Sequence, residues 1–136
     1  MTAANFDLDP RLAADTHVLF DLPLNRVLLM DDARWPWLVL VPRRAGLTEL
    51  VELNPDERRL WWTELDHCAA WVRAQAGVRK LNVAALGNVV AQLHVHLIGR
   101  CPDADPVWPR PVWGTPGALP YDSAACDAIR RSLRPA

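Results

Sequence analysis

Cysteine is scarce in this chain: three residues, Cys68, Cys101 and Cys126, widely spaced and without a CxxC pair. An odd number at that spacing argues against a disulfide framework and a zinc ribbon, and predicts reduced thiols that serve mostly as packing groups. Long hydrophobic runs are missing as well. Trp35 to Pro42 and Val89 to Ile98 are interrupted and far shorter than the ~20 residues a membrane span requires. The opening MTAANFDLDP lacks a basic-then-apolar signal pattern, so the chain is expected to be cytoplasmic, with no membrane partner. Nor is there an excess of charge of either sign. Lys+Arg 15 against Asp+Glu 16 give a net −1, which disfavours a long nucleic acid duplex but leaves room for a small anionic ligand held by local groups. With no repeat or low-complexity linker, 136 residues at 51% apolar and 23% charged read as one domain, 1–136.

What is present is a clear order of elements. HVLFDL, RVLLM and WLVLVP are rich in branched and aromatic residues and bounded by Pro23, the DDAR turn and Pro42, as strands of an antiparallel meander are. In the next segment Asn54 can cap a helix, Pro55 suits its first position and Glu57 supplies an N-terminal carboxylate. Trp61, Leu65, Cys68 and Val72 then recur on one helical stripe until Gly77, predicting a long helix over 55–76. KLNVAAL reads as a strand, Gly87-Asn88 as a turn and VVAQLHVHLI as a further strand. From Cys101 to Pro120 six of the twelve prolines predict an irregular excursion anchored by Trp108 and Trp113. A C-terminal helix over 123–133 carries Cys126, Ile129 and Leu133 on one side. The fold class is α+β: an antiparallel sheet of about five strands, one long helix packed on it and a C-terminal helix.

Two of only four histidines fall in QLHVHLIGR. Strand alternation puts Gln92, His94, His96 and Ile98 on one face and Leu93, Val95 and Leu97 on the other, which packs against the helix. Three readings of the imidazole pair stand on the residues alone. They are polar residues on a solvated sheet face; or two ligands of a metal that needs a third and fourth, with only His17 and His67 left to supply an imidazole. Or they are nucleophile and hydrogen-bond donor in catalysis at phosphorus, for which neutral imidazole is suited.

The run NVAALGNVVAQLHVHLIGR resembles the histidine triad (HIT) family, whose signature is His-x-His-x-His followed by two apolar residues, with x apolar. Gln92-Leu93-His94-Val95-His96-Leu97-Ile98 matches at every position except the first histidine. MDDARWPWLVLVPRR resembles the family's nucleoside-binding strand pair with its apolar-Pro-basic corner, and the capped helix follows, so the likeness covers roughly residues 15–100. WPRPVWG, within the tail and C-terminal helix 101–136, is similar to the tail of a bacterial branch of the family.

The resemblance implies a HIT-like fold and a nucleotide hydrolase or nucleotidyl transferase acting at the α-phosphate of a nucleoside phosphoramidate or dinucleoside polyphosphate. His94 corresponds to the nucleophile that forms a nucleotidyl-histidine, and His96 to the histidine that binds phosphate oxygen. Asn82 and Asn88 fall where carboxamides donate to phosphate, and Asp31 or Asp32 where ribose hydroxyls are accepted. Gly87 in the turn permits close phosphate approach, although a plain hairpin turn reads the same way. Gln92 departs from the pattern: a carboxamide can donate to a leaving oxygen but delivers no titrating proton near neutrality. Good leaving groups such as polyphosphates are then favoured, and the alternative is a catalytically weak nucleotide-binding module.

No metal site and no required cofactor are expected, a divalent cation entering only with the substrate's phosphates. The family also implies a homodimer. Trp61, Trp62 and Trp71 read as core or dimer contacts, Arg43-Arg44 as a solvated corner, and Cys101 as an unreactive thiol.

Overall fold

Branched residues put the first three strands close to where the sequence does: β1 (Thr16–Asp21), β2 (Asn25–Met30) and β3 (Trp37–Pro42), in a computed structural model that describes residues 6–136. Ahead of them lies a short helix, α1 (Pro10–Asp15), which the sequence pattern does not reveal. Six residues carry less than two turns of periodicity, so only Asp9 as cap and Pro10 at the first position mark it.

The long helix α2 (Pro55–Arg73) begins with a reciprocal cap, Asn54 accepting from the Glu57 N–H while Glu57 accepts from that of Asn54. Its stripe of Trp61, Leu65, Cys68 and Val72 is buried as expected. Glu64 on α2 is buried too, and accepts from Leu24 N, Asn25 N and Asn25 Nδ2, tying the helix to the β1–β2 turn. Arg43 and Arg44 are not a free corner: Arg43 donates to the carbonyls of Leu22 and Pro23, and Arg44 pairs with Glu57.

After α2, β4 (Lys80–Ala84) and β5 (Val95–Arg100) complete a five-stranded antiparallel sheet of order β1-β2-β3-β5-β4. The strand expected over 89–98 starts only at Val95. The ladders with β3 and β4 reach Val95 and His96 and stop, and ahead of them Leu93 N donates to Leu47 O instead. Residues 85–94 are therefore a loop that delivers His94 to the start of β5.

Both sheet faces are covered. On one, Leu38, Leu40, Val95 and Leu97 pack with α2 and with Cys126 and Leu133 of the C-terminal helix α3 (Ser123–Leu133). On the other, Trp37, Val39 and Ile98 pack with Leu12, Trp35 and Val112. The solvated-face reading of the histidines thus gives way to a buried one.

The proline-rich excursion makes that second layer, and its main anchor is charged. Arg100, 1% exposed, bonds Asp105 at 2.5 Å, Asn82 Oδ1 at 2.8 Å and the Arg110 carbonyl at 2.7 Å. Asp105 also accepts from Trp35 Nε1. Trp113 is half-buried against the histidines as an anchor should be, whereas Trp108 is largely exposed, with the Arg100 guanidinium over its ring.

Candidate active site

His94 and His96 are 7% and 5% exposed, with ring centroids 5.1 Å apart. Each ring is fixed by a neighbour that has only one hydrogen-bonding role. The Gln92 carbonyl, which can only accept, lies 2.7 Å from His94 Nδ1, so that nitrogen carries a proton and the lone pair of the neutral ring is on Nε2. The Trp37 indole, which can only donate, lies 3.0 Å from His96 Nδ1, so there the lone pair is on Nδ1 and Nε2 carries the proton of the neutral ring. Burial, and then the neighbouring His94, push His96 down to about 4, so it is a neutral ring at pH 7. Trp113 stands edge-on to His96 at 5.1 Å and closes this side.

The two imidazoles line a cavity of about 400 Å³ together with Gly87, Asn88 and Trp113. Leu12, Met30, Val89 and Val90 supply apolar wall, and Asp15 a carboxylate. Gly87 has φ +69°, which an L side chain rarely adopts, and this left-handed turn aims the loop back toward the histidines.

The structure brings four of the sequence-derived candidates, His94, His96, Gly87 and Asn88, into one cavity. It gives the others different partners. Asn82 on β4 accepts from Arg100. Asp31 accepts from His17 Nε2 at 2.8 Å and from Tyr121 N at 2.8 Å, and Asp32 from Arg34 and Leu119 N, so both carboxylates hold the returning tail rather than line the cavity. Hydrogen bonding holds both carboxyls below the ordinary carboxylate range against the opposing effect of their burial. The Gln92 carboxamide bonds the main chain of Asp7 and Asp9.

His17 is thus engaged with Asp31, and His67 donates to the Leu133 carbonyl at 2.6 Å, so neither joins the pair at 94 and 96. Among the described residues no group of three or more His, Cys, Asp or Glu is placed to hold a metal ion. Leu12, Asp15, Met30, Leu86, Val89, Val90 and Trp113 are the wall residues that sequence reasoning did not assign to the site. Only Trp113 carried a signal, as an aromatic island among prolines.

Where the loop meets β5, two imidazoles bonded with opposite polarity stand side by side in the wall of a largely apolar cavity. The HIT domain family matches residues 11–103, and the chain belongs to that family. It is similar to solved histidine triad proteins of three bacteria. One from Sinorhizobium meliloti 1021 is 40% identical, with a TM-score of 0.89 and 97% of each chain covered. One from Bradyrhizobium japonicum is 41% identical (TM-score 0.86), covering 94% of this chain and 95% of the other. One from Marinobacter aquaeolei VT8 is 43% identical (TM-score 0.87), covering 95% and 93%. No curated protein matches the chain. The fold is the α+β HIT-like one. Among the described residues no helix is long and apolar enough to cross a membrane.

Proposed function

We propose that this chain is a nucleotide hydrolase or nucleotidyl transferase that works through a nucleotidyl-histidine on His94. The observation that carries the reading is the opposed polarity of the two rings: a lone pair on His94 Nε2 and a proton on His96 Nε2, at the wall of one cavity. The His94 lone pair attacks the α-phosphorus while the bond from phosphorus to the leaving group breaks and that group takes the electron pair. The ring becomes cationic, and its Nδ1–H, held on the Gln92 carbonyl, keeps the charge solvated by a fixed dipole. His96, neutral, donates Nε2–H to a phosphate oxygen. Water then attacks phosphorus and gives up a proton to solvent as the P–N bond breaks, and the pair returns to Nε2.

The apolar wall suits a nucleoside, and Asp15, at the cavity edge, takes the ribose role in place of Asp31 and Asp32. No residue at the leading motif position offers a titrating proton, so a polyphosphate leaves more readily than an amine. A dinucleoside polyphosphate is therefore the better substrate of the two classes.

The test is intact-protein mass spectrometry after an acid-free quench, with an adenosine phosphoramidate and separately a diadenosine polyphosphate. Wild type should show a nucleotidyl adduct that His94→Ala lacks. Asp15→Asn should raise KM for ribonucleotides by about tenfold, the value of one hydrogen bond to a charged group. Nucleotide binding with neither adduct nor product would make the protein a binding module and withdraw the enzymatic reading.

A further inference from the structure

The leading motif position carries a side chain that the reaction above leaves unused, and both ends of its carboxamide are engaged elsewhere. Gln92 Oε1 accepts from Asp9 N at 2.8 Å, and Nε2 donates to the Asp7 carbonyl at 2.8 Å, across more than 80 residues of sequence. These are the two groups, on residues i and i+2, that an adjacent strand residue would bond. A carboxamide presents donor and acceptor side by side as a peptide does, whereas the nitrogens of an imidazole diverge. A second tie lies beside it: the Arg11 guanidinium donates to the Val89 carbonyl at 2.9 Å. Asp9, held by Gln92, caps α1 by accepting from Arg11 N at 2.8 Å. Leu12 and Asp15 of that helix stand in the wall of the histidine cavity, and the main-chain carbonyl of the same Gln92 orients His94.

We propose that Gln92 is a positioning residue, whose carboxamide latches the Asp7–Asp9 segment to the loop bearing the nucleophile. The latch sets the cavity wall supplied by α1 and the direction of the His94 ring together. The inference rests on the nucleophilic role of His94 assigned above, and it separates Gln92 from any contact with the leaving group.

The experiment measures kcat and KM for wild type, Gln92→Met, Gln92→His, Asp9→Pro and the double variant Gln92→Met/Asp9→Pro. The substrates are adenosine phosphoramidate and diadenosine tetraphosphate, whose leaving groups differ in basicity. Gln92→Met keeps the length of the side chain and loses both bonds. Asp9→Pro removes the N–H that Oε1 accepts from, at a φ of −53° that proline adopts, together with the carboxylate that caps α1, and Asp9→Ala, which loses the carboxylate alone, is its control. Misplacement of a nucleophile costs up to about a hundredfold, so each single variant should lose about ten- to a hundredfold in kcat, by the same factor for both substrates. The double variant should be no worse than the poorer single one. Amide exchange over residues 7–15 should rise in all of them.

A loss that grows with leaving-group basicity, additive losses in the double variant, or a gain in kcat for Gln92→His would each overturn the latch. If wild type turns over neither substrate, the proposed reaction fails separately. Unchanged exchange over 7–15 and unchanged imidazole nitrogen shifts of His94 in Gln92→Met would then overturn the latch as well, and changed ones would sustain it.

Discussion

A buried imidazole that stays neutral makes stability depend on pH with a definite sign. Burial and the neighbouring His94 lower His96 from 6.5 to about 4. Between those values the unfolded chain binds a proton that the folded chain refuses. The contribution is therefore complete above 6.5 and is lost as pH falls toward 4, at a cost of roughly 3 kcal/mol. Urea unfolding at pH 7 and pH 4.5 should show a larger acid loss for wild type than for His96→Gln, and equal losses would refute it. At this scale the sequence was informative about the pair and silent about its surroundings. Residues 94 and 96 were legible from spacing, because few apolar runs alternate imidazoles. The fate of Asp31 and Asp32 was not: their partners, Tyr121 and Leu119, lie some 90 residues away in a tail whose path no local pattern gives. Asp15 was hidden in the same way, since a carboxylate at the end of an unrecognised helix has no spacing to betray it.

Among the elements, α2 is held to the sheet by more than its apolar stripe. Glu64 accepts three hydrogen bonds from Leu24 and Asn25, at 2.8 to 3.0 Å, from inside the core. Bonds to a charged acceptor are worth about 1.5–3 kcal/mol each and are not additive. Glu64→Ala should then cost about 3 kcal/mol, read as a lower urea midpoint, with turnover per folded molecule unchanged. A shift within 0.5 kcal/mol, the scale of an ordinary surface substitution, would remove that role. The strands β1 to β3 and the helices α2 and α3 were readable because each carries its period over several residues. The start of β5 was not, since the apolar alternation runs on through 89–94 where the chain has already left the ladder. A pattern in side chains says nothing about whether a backbone partner is present.

Over the whole molecule, the excursion after β5 is fastened by one buried ion pair, Arg100 with Asp105, both side chains at 1% exposure or less. Removing the carboxylate leaves a guanidinium without its counter-charge and frees Trp35 Nε1. Asp105→Ala should therefore cost about 3–5 kcal/mol and loosen Trp113 from His96. Thermal unfolding measures the first effect, and amide exchange over 105–116 the second. Unaltered exchange would show that Val112 and the Arg34 bonds to Thr115 and Pro116 hold the segment alone.

The sheet also partitions the chain's tolerance to change. The candidate chemistry lies on the face under α1 and Trp113, while α2 and α3 cover the other with apolar packing and the hydrogen bonds of Glu64 and Arg130. Substitutions beneath the helices reach the imidazoles indirectly, through β3 and β5 or through Leu93, which packs in that core ahead of His94. Variation on that side should alter how much protein is folded and leave its choice of substrate intact. Variation on the opposite side should move both at once, so a lineage could retune its ligand without rebuilding its core.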